Sequence, residues 1–130
     1  MPVSISNLSF FCSWSGGKDS ALALYHALRQ NGHPRFLFTM LREDGLRSCA
    51  HGVPVSLLEK QAESLNIPLV TRSASWSDYE KVFTEQLRRF KEQGIQVGVF
   101  GDIDLEEHRF WEEKVCASVG MTACLPLWQR

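Results

Sequence analysis

The sequence predicts an α/β fold of three layers, with helices on both faces of a mostly parallel, five-stranded sheet. Three observations carry this expectation. Short apolar runs bounded by Gly, Pro and Asn alternate with longer stretches whose apolar residues recur at helical spacing. Parallel strands need crossover connections, and such alternation supplies a helix for each one. Finally, the string Ser15-Gly16-Gly17-Lys18-Asp19-Ser20 follows the first apolar run directly, where a strand would turn into a helix.

Taken in order, Leu8 to Trp14 is aromatic-rich and ends at a Gly-Gly pair, the profile of a buried strand entering a turn. Ala21, Leu24, Tyr25 and Leu28 then recur at helical spacing, and Asn31-Gly32 before Pro34 supplies a stop, which predicts a helix over 20–30. Arg35 to Leu41 reads as the second strand. The polar stretch 42–52 after it is a loop holding Glu43, Asp44, Cys49 and His51. Pro54 suits a first helical turn, and Leu58, Ala62 and Leu65 mark one face of a helix ending before Asn66. Ile67 to Thr71 makes the third strand.

From about Ser77, the residues Tyr79, Val82, Phe83, Leu87 and Phe90 form an apolar stripe opposite Lys81, Glu85, Arg88, Arg89 and Lys91, until Gly94 ends the helix. Ile95 to Phe100 is the fourth strand, with Gly101-Asp102 at its end. Leu105 to Val119 returns to helix before Gly120, and Thr122 to Leu127 reads as a fifth strand. No repeat or linker interrupts this order, so 1–130 is read as a single domain with a flexible start over 1–7. In open parallel sheets ligands bind beyond the carboxyl ends of the strands, which here gathers 15–20, 42–51 and 101–104 on one rim.

Composition narrows the function. Fourteen basic and fifteen acidic residues leave a formal charge of −1, so no strong field favours nucleic acid or a membrane surface. No segment approaches a membrane span and the first residues lack a secretory pattern, which predicts a cytoplasmic protein. Cys12, Cys49, Cys116 and Cys124 are far apart and show no metal or redox spacing, so they are read as buried free thiols.

The Ser15 to Ser20 string has the parts a polyphosphate needs. Adjacent glycines let backbone N–H groups approach an anion, and the helix that follows aims its positive end at the same place. Lys18 adds a charge, Ser15 and Ser20 add hydroxyls, and Asp19 is placed either to cap the helix or to help hold Mg²⁺. The glycine spacing differs from a Walker A loop, and the third glycine of a dinucleotide fingerprint is missing.

This string resembles the signature of the PP-loop ATP pyrophosphatases. The pieces HGVPVSLLEKQAESLNIPL from His51, GVFGDIDLEEHRFWEEKVC from Gly98 and LPLW at Leu125 to Trp128 resemble the diphthine–ammonia ligase-like family, an adenine nucleotide α-hydrolase-type domain. The similarity runs from about Leu8 to Trp128. It implies a Rossmann-like sheet of order 3-2-1-4-5 and an activity in which ATP adenylates a carboxylate, pyrophosphate leaves, and ammonia displaces AMP. It further implies that residues 15–20 bind the ATP phosphates, with Lys18, Asp19 and Asp102 catalytic. Gly101 and Asp102 would line the nucleotide site, His51 and its loop would cover it, and Mg²⁺ would be held by Asp19 or Asp102. Family members continue past PLW into a portion that supplies much of the acceptor pocket. An ATP-binding portion, and a homodimer or partner region over exposed apolar surface, are therefore expected.

The remaining candidates keep two readings each. His51 is an exposed loop histidine or a nucleotide contact, and Asp102 a nucleotide or Mg²⁺ contact or a helix cap. His108, Arg109 and Glu112 are substrate contacts or a solvated helix face with an i, i+4 pair. Phe110, Trp111 and Trp128 are read as core or interface aromatics. Cys49 admits a tRNA-thiolating reading, which the near-neutral charge disfavours, and a nucleotide-binding module without turnover is the alternative to a ligase.

Overall fold

In the computed structural model, described for residues 4–129, the five strands form one sheet in the order β3-β2-β1-β4-β5, and every pairing is parallel. The elements run β1 (Ser9–Ser13), α1 (Lys18–Arg29), β2 (His33–Leu41), α2 (Val55–Leu65), β3 (Leu69–Ser73), α3 (Tyr79–Glu92), β4 (Val97–Val99), α4 (Glu106–Ser118) and β5 (Thr122–Cys124). The three-layer expectation and its strand order hold. Strand order reverses between β1 and β4, so the rim above those two strands is where a ligand site is expected.

Alternation along the strands divides the core into two clusters. Phe10 and Cys12 of the first strand, with Trp14 just after it, face α1 and α2, joined by Leu37, Leu41, Val97 and Val99. Phe11, Phe38, Met40 and Phe100 face α3 and α4, where Phe83, Leu87, Phe90, Val115 and Cys116 close over them. Phe11 stacks on Phe90 at 5.1 Å between centroids and meets Phe38 and Phe100 edge-on. Such geometry adds to the area these rings bury.

Several details depart from the sequence reading. The first helix starts at Lys18 rather than Ser20, and it is turned so that Ala23, Leu24 and Ala27 face the sheet while Ala21, Tyr25 and Leu28 are exposed. Small residues win that face because α1 lies close over the sheet. Leu65 is likewise exposed on α2, whose buried side is Leu58 and Ala62.

The second strand begins earlier, at His33, because the register shift between Phe10 and Phe11 absorbs Arg35 as a bulge beside Pro34, which has no N–H to give the ladder. The fourth and fifth strands are shorter than expected. After Cys124 the chain turns, and Trp128 donates its backbone N–H to the Leu125 carbonyl at 3.1 Å. Of the start expected to be loose, residues 1–3 lie outside the described residues. Ile5 is fully buried, and the Asn7 N–H bonds the Asn31 carbonyl at 3.0 Å.

Candidate functional site

The loop after β1 is held by its own polar groups. The Ser15 hydroxyl accepts from the Gly17 N–H at 3.2 Å and donates to the Ser20 hydroxyl at 3.1 Å, and Ser20 donates to the Gly17 carbonyl at 3.1 Å. Each of the two serine hydroxyls thus has a partner within the loop. Gly16 sits at φ +82°, where a side chain is strained, and a Cβ there would lie 3.1 Å from Leu58 and 3.2 Å from Gln61.

Gln61 was missed by the sequence reading. Its Oε1 accepts from the Trp14 indole at 2.9 Å while its Nε2 donates to the Gly16 carbonyl at 3.3 Å, tying the loop to α2. Thr39 was missed too, and donates to the Trp14 carbonyl from the next strand. Polar residues on faces otherwise marked apolar were the signal available for both.

No side chain caps α1, whose N-cap is Gly17, so the first-turn N–H groups are left for an outside acceptor. Asp19 therefore lies inside the helix rather than capping it. Lys18 is exposed beside it, and Asp19 is half-buried. Gly101, at the end of β4, packs against this helix start: a Cβ there would fall 2.9 Å from the Asp19 carbonyl oxygen. Only glycine permits that approach, which brings the β4 rim onto the loop. His51 belongs to the same place, its Cδ2 lying 4.0 Å from where a Cβ on Gly17 would be.

A second cluster lies across the rim. Asp102 bonds the His108 ring, Nδ1 to Oδ1, at 3.1 Å, and it does not cap α4, whose N-cap is Leu105. Glu112 is buried at 9% exposure and its Oε1 has no hydrogen-bond partner. Its carboxyl is pushed up to about 10, first by burial, then by a hydrogen bond with Asp102 and by that group's charge. Arg109 faces elsewhere, pairing with Glu113 at 3.4 Å and lying 5.1 Å over the Trp128 ring. The i, i+4 ion pair on this helix is Arg109 with Glu113 rather than one within His108, Arg109 and Glu112, and those three do not act as one face.

Glu112, His108, Trp76, Tyr79, Trp111 and Cys49 line a cleft of about 590 Å³ between α3, α4 and the β2–α2 loop. A smaller cavity of about 60 Å³, lined by Trp14, Ser15, Met40, Cys49 and Tyr79 among others, lies at the base of the phosphate loop and shares Cys49 and Tyr79 with that cleft. Trp76 is 86% exposed and Phe110 is also exposed, whereas Trp111 and Trp128 are half-buried. The Trp111 indole donates to Glu80 at 2.7 Å, which with Lys114 holds that carboxylate below its ordinary range.

Burial raises the Cys49 thiol, only partly offset by the Arg42 charge, which disfavours the thiolate that sulfur transfer needs. Cys12 and Cys116 are pushed up to about 12 and Cys124 to about 11, all mainly by burial. The cysteines are free, with Cys12, Cys116 and Cys124 buried and Cys49 half-buried. Among the described residues no group of three or more His, Cys, Asp and Glu could hold a metal ion, and no helix is long and apolar enough to cross a membrane.

A self-bonded glycine loop, an uncapped helix start above it and a glycine bringing β4 against both, on a 3-2-1-4-5 parallel sheet, define an adenine-nucleotide-binding α/β module of the PP-loop class. The family model described as the diphthamide synthase N-terminal domain matches residues 10–123. The chain belongs to that family. Comparison with curated proteins gives no match.

Proposed function

We propose that the chain is the ATP-binding domain of an AMP-forming amide ligase. ATP is cleaved between its α and β phosphates, a carboxylate is activated as its adenylate, and ammonia displaces AMP. The observation that carries this reading is a separate cleft beside the phosphate loop on one rim, with a small cavity between them that meets the loop at Ser15 and the cleft at Cys49 and Tyr79. A module that only stores nucleotide has no need of the second compartment.

In this reading Lys18 and the free N–H groups of α1 hold the charge that develops on departing pyrophosphate. Gly16 and Gly17 let the phosphates lie against backbone, Ser15 and Ser20 keep the loop in shape, and Gly101 lets the nucleotide sit close to α1. His51 covers the loop, while Asp102 orients His108 at the cleft mouth. Mg²⁺ would neutralise phosphate charge. Asp19, which has no side-chain partner among the described residues, suits it better than Asp102, already bonded to His108.

Titration with ATP and with a non-hydrolysable α,β analogue in Mg²⁺, followed by chromatography of the nucleotides, tests the proposal. AMP and pyrophosphate appearing with ammonia and a carboxylate are expected. Binding without turnover supports a nucleotide-holding module instead, and ADP as product defeats the ligase reading.

A further inference from the structure

We propose that the cleft between α3, α4 and the β2–α2 loop binds a protonated nitrogen, an ammonium ion or a primary ammonium group, with Glu112 Oε1 as its acceptor and the rings of Trp76, Tyr79 and Trp111 as its walls. The site stands on its own geometry. Its meaning, as the place where the nitrogen of an amide-forming reaction waits, rests on the reading proposed above.

Two independent observations point to such a ligand. A carboxyl oxygen that is nine-tenths buried and has no partner is costly unless something supplies a donor, and Glu112 lines this cleft. The walls beside it are a cluster of electron-rich rings: Tyr79 lies 5.7 Å from Trp76 and 5.8 Å from Trp111, centroid to centroid, and all three line the cleft. A cation is drawn to aromatic rings, and a neutral donor gains much less from them. An exposed indole such as Trp76 is also poorly explained by packing alone.

The surrounding charges agree. Asp102, bonded to His108, lies beside Glu112, Glu113 follows on the same helix, and Glu80, which accepts from the Trp111 indole, lines the cleft as well. Lys114 and Arg109, bonded to Glu80 and Glu113, do not line the cleft, and His108, which does, is bonded to Asp102. An anion would meet several carboxyls there. An arriving cation supplies the counter-charge that lets Glu112 ionise, its proton leaving to solvent.

Chemical shifts of the indole N–H signals test this, because Trp128 serves as a reference away from the cleft and Trp14, bonded to Gln61, reports on the phosphate loop. Millimolar ammonium chloride and methylammonium chloride are expected to shift Trp76 and Trp111 saturably, with sodium chloride at equal ionic strength giving no such shift. Glu112→Gln should weaken that response tenfold or more. Trp76→Leu, at an exposed position that cannot unfold the core, should weaken it several-fold. Shifts produced by ATP at Trp14 should survive both changes, so loss of ATP binding in the unaltered protein would reject the nucleotide reading and leave this one standing. No saturable shift, or an unchanged response in Glu112→Gln, overturns the proposal. Tetramethylammonium binding as tightly as ammonium overturns the role of Glu112 as acceptor.

Discussion

The phosphate loop and the acid cleft share one rim and are built on opposite terms. In the loop every side-chain polar group of Ser15, Ser20 and Gln61 is bonded inside the protein. In the cleft Glu112 keeps an unbonded buried oxygen and Trp76 stands almost fully in solvent. A loop finished in advance suits a ligand of one invariant shape, such as a polyphosphate, because little ordering remains to be done on binding. A cleft left unsatisfied lowers stability and gains selectivity, since only a ligand with the missing charge and donor completes it.

The largest effect expected from breaking this contrast is at Lys18. Lys18→Ala should lower ATP affinity about a hundredfold, on the order of 2.7 kcal/mol, while the melting temperature stays put because the side chain is exposed. Calorimetric titration decides, and unchanged affinity would remove the loop from the nucleotide site. Next comes Gly101→Ala. Its Cβ would sit 2.9 Å from backbone oxygen, which cannot yield as a flexible side chain can. A cost of about 1–3 kcal/mol from overpacking should appear in denaturant unfolding, together with weaker ATP binding. Weakened binding alone, with normal stability, would mean that Gly101 contacts the ligand rather than the helix.

Glu112→Gln sharpens the other side. The carboxyl is raised from 4.5 in the unfolded chain to about 10 in the folded one, so between those values the folded state holds a proton that the unfolded state has released. Stability supplied by the neutral acid is fully present below pH 4.5 and is lost as pH rises towards 10. The slope is at most about 1.4 kcal/mol per pH unit. Glutamine stays neutral throughout. The variant's advantage in melting temperature should therefore be small near pH 5 and grow steadily to pH 9, and a difference that is flat with pH would contradict the raised carboxyl.

How much of this was legible beforehand follows from the kind of signal each part leaves. The order of elements and the phosphate loop were readable because periodicity and the Ser-Gly-Gly-Lys-Asp-Ser string are local. The facing of α1 was not, since Ala21, Tyr25 and Leu28 look apolar in sequence, and only the close approach to the sheet selects Ala23 and Ala27. Gln61 and Trp14 meet across 47 positions, and nothing local records that bond. Glu112 was a candidate by resemblance, but its burial depends on α3 packing over α4, which places Trp111 against Phe83 and Tyr79. His108, Arg109 and Glu112 looked alike in the string and separate only once the helix is docked.

That separation gives the smallest effect. Arg109 is bonded to Glu113 and stacked on Trp128, both partly exposed, so its ion pair is worth about 0.2–1 kcal/mol and its stacking a similar amount. Arg109→Ala should shift the melting temperature by a few degrees at most, and less in high salt, where the pair is screened. ATP affinity and the ammonium response of Trp76 and Trp111 should stay as they are, because the guanidinium addresses neither the loop nor the cleft. His108→Ala provides the contrast, since it frees Asp102 beside Glu112 and should alter the ammonium response alone. If Arg109→Ala disturbs nucleotide binding as strongly as Lys18→Ala, the two regions are not separate, and the Trp128 end of the chain must be counted as part of the nucleotide site.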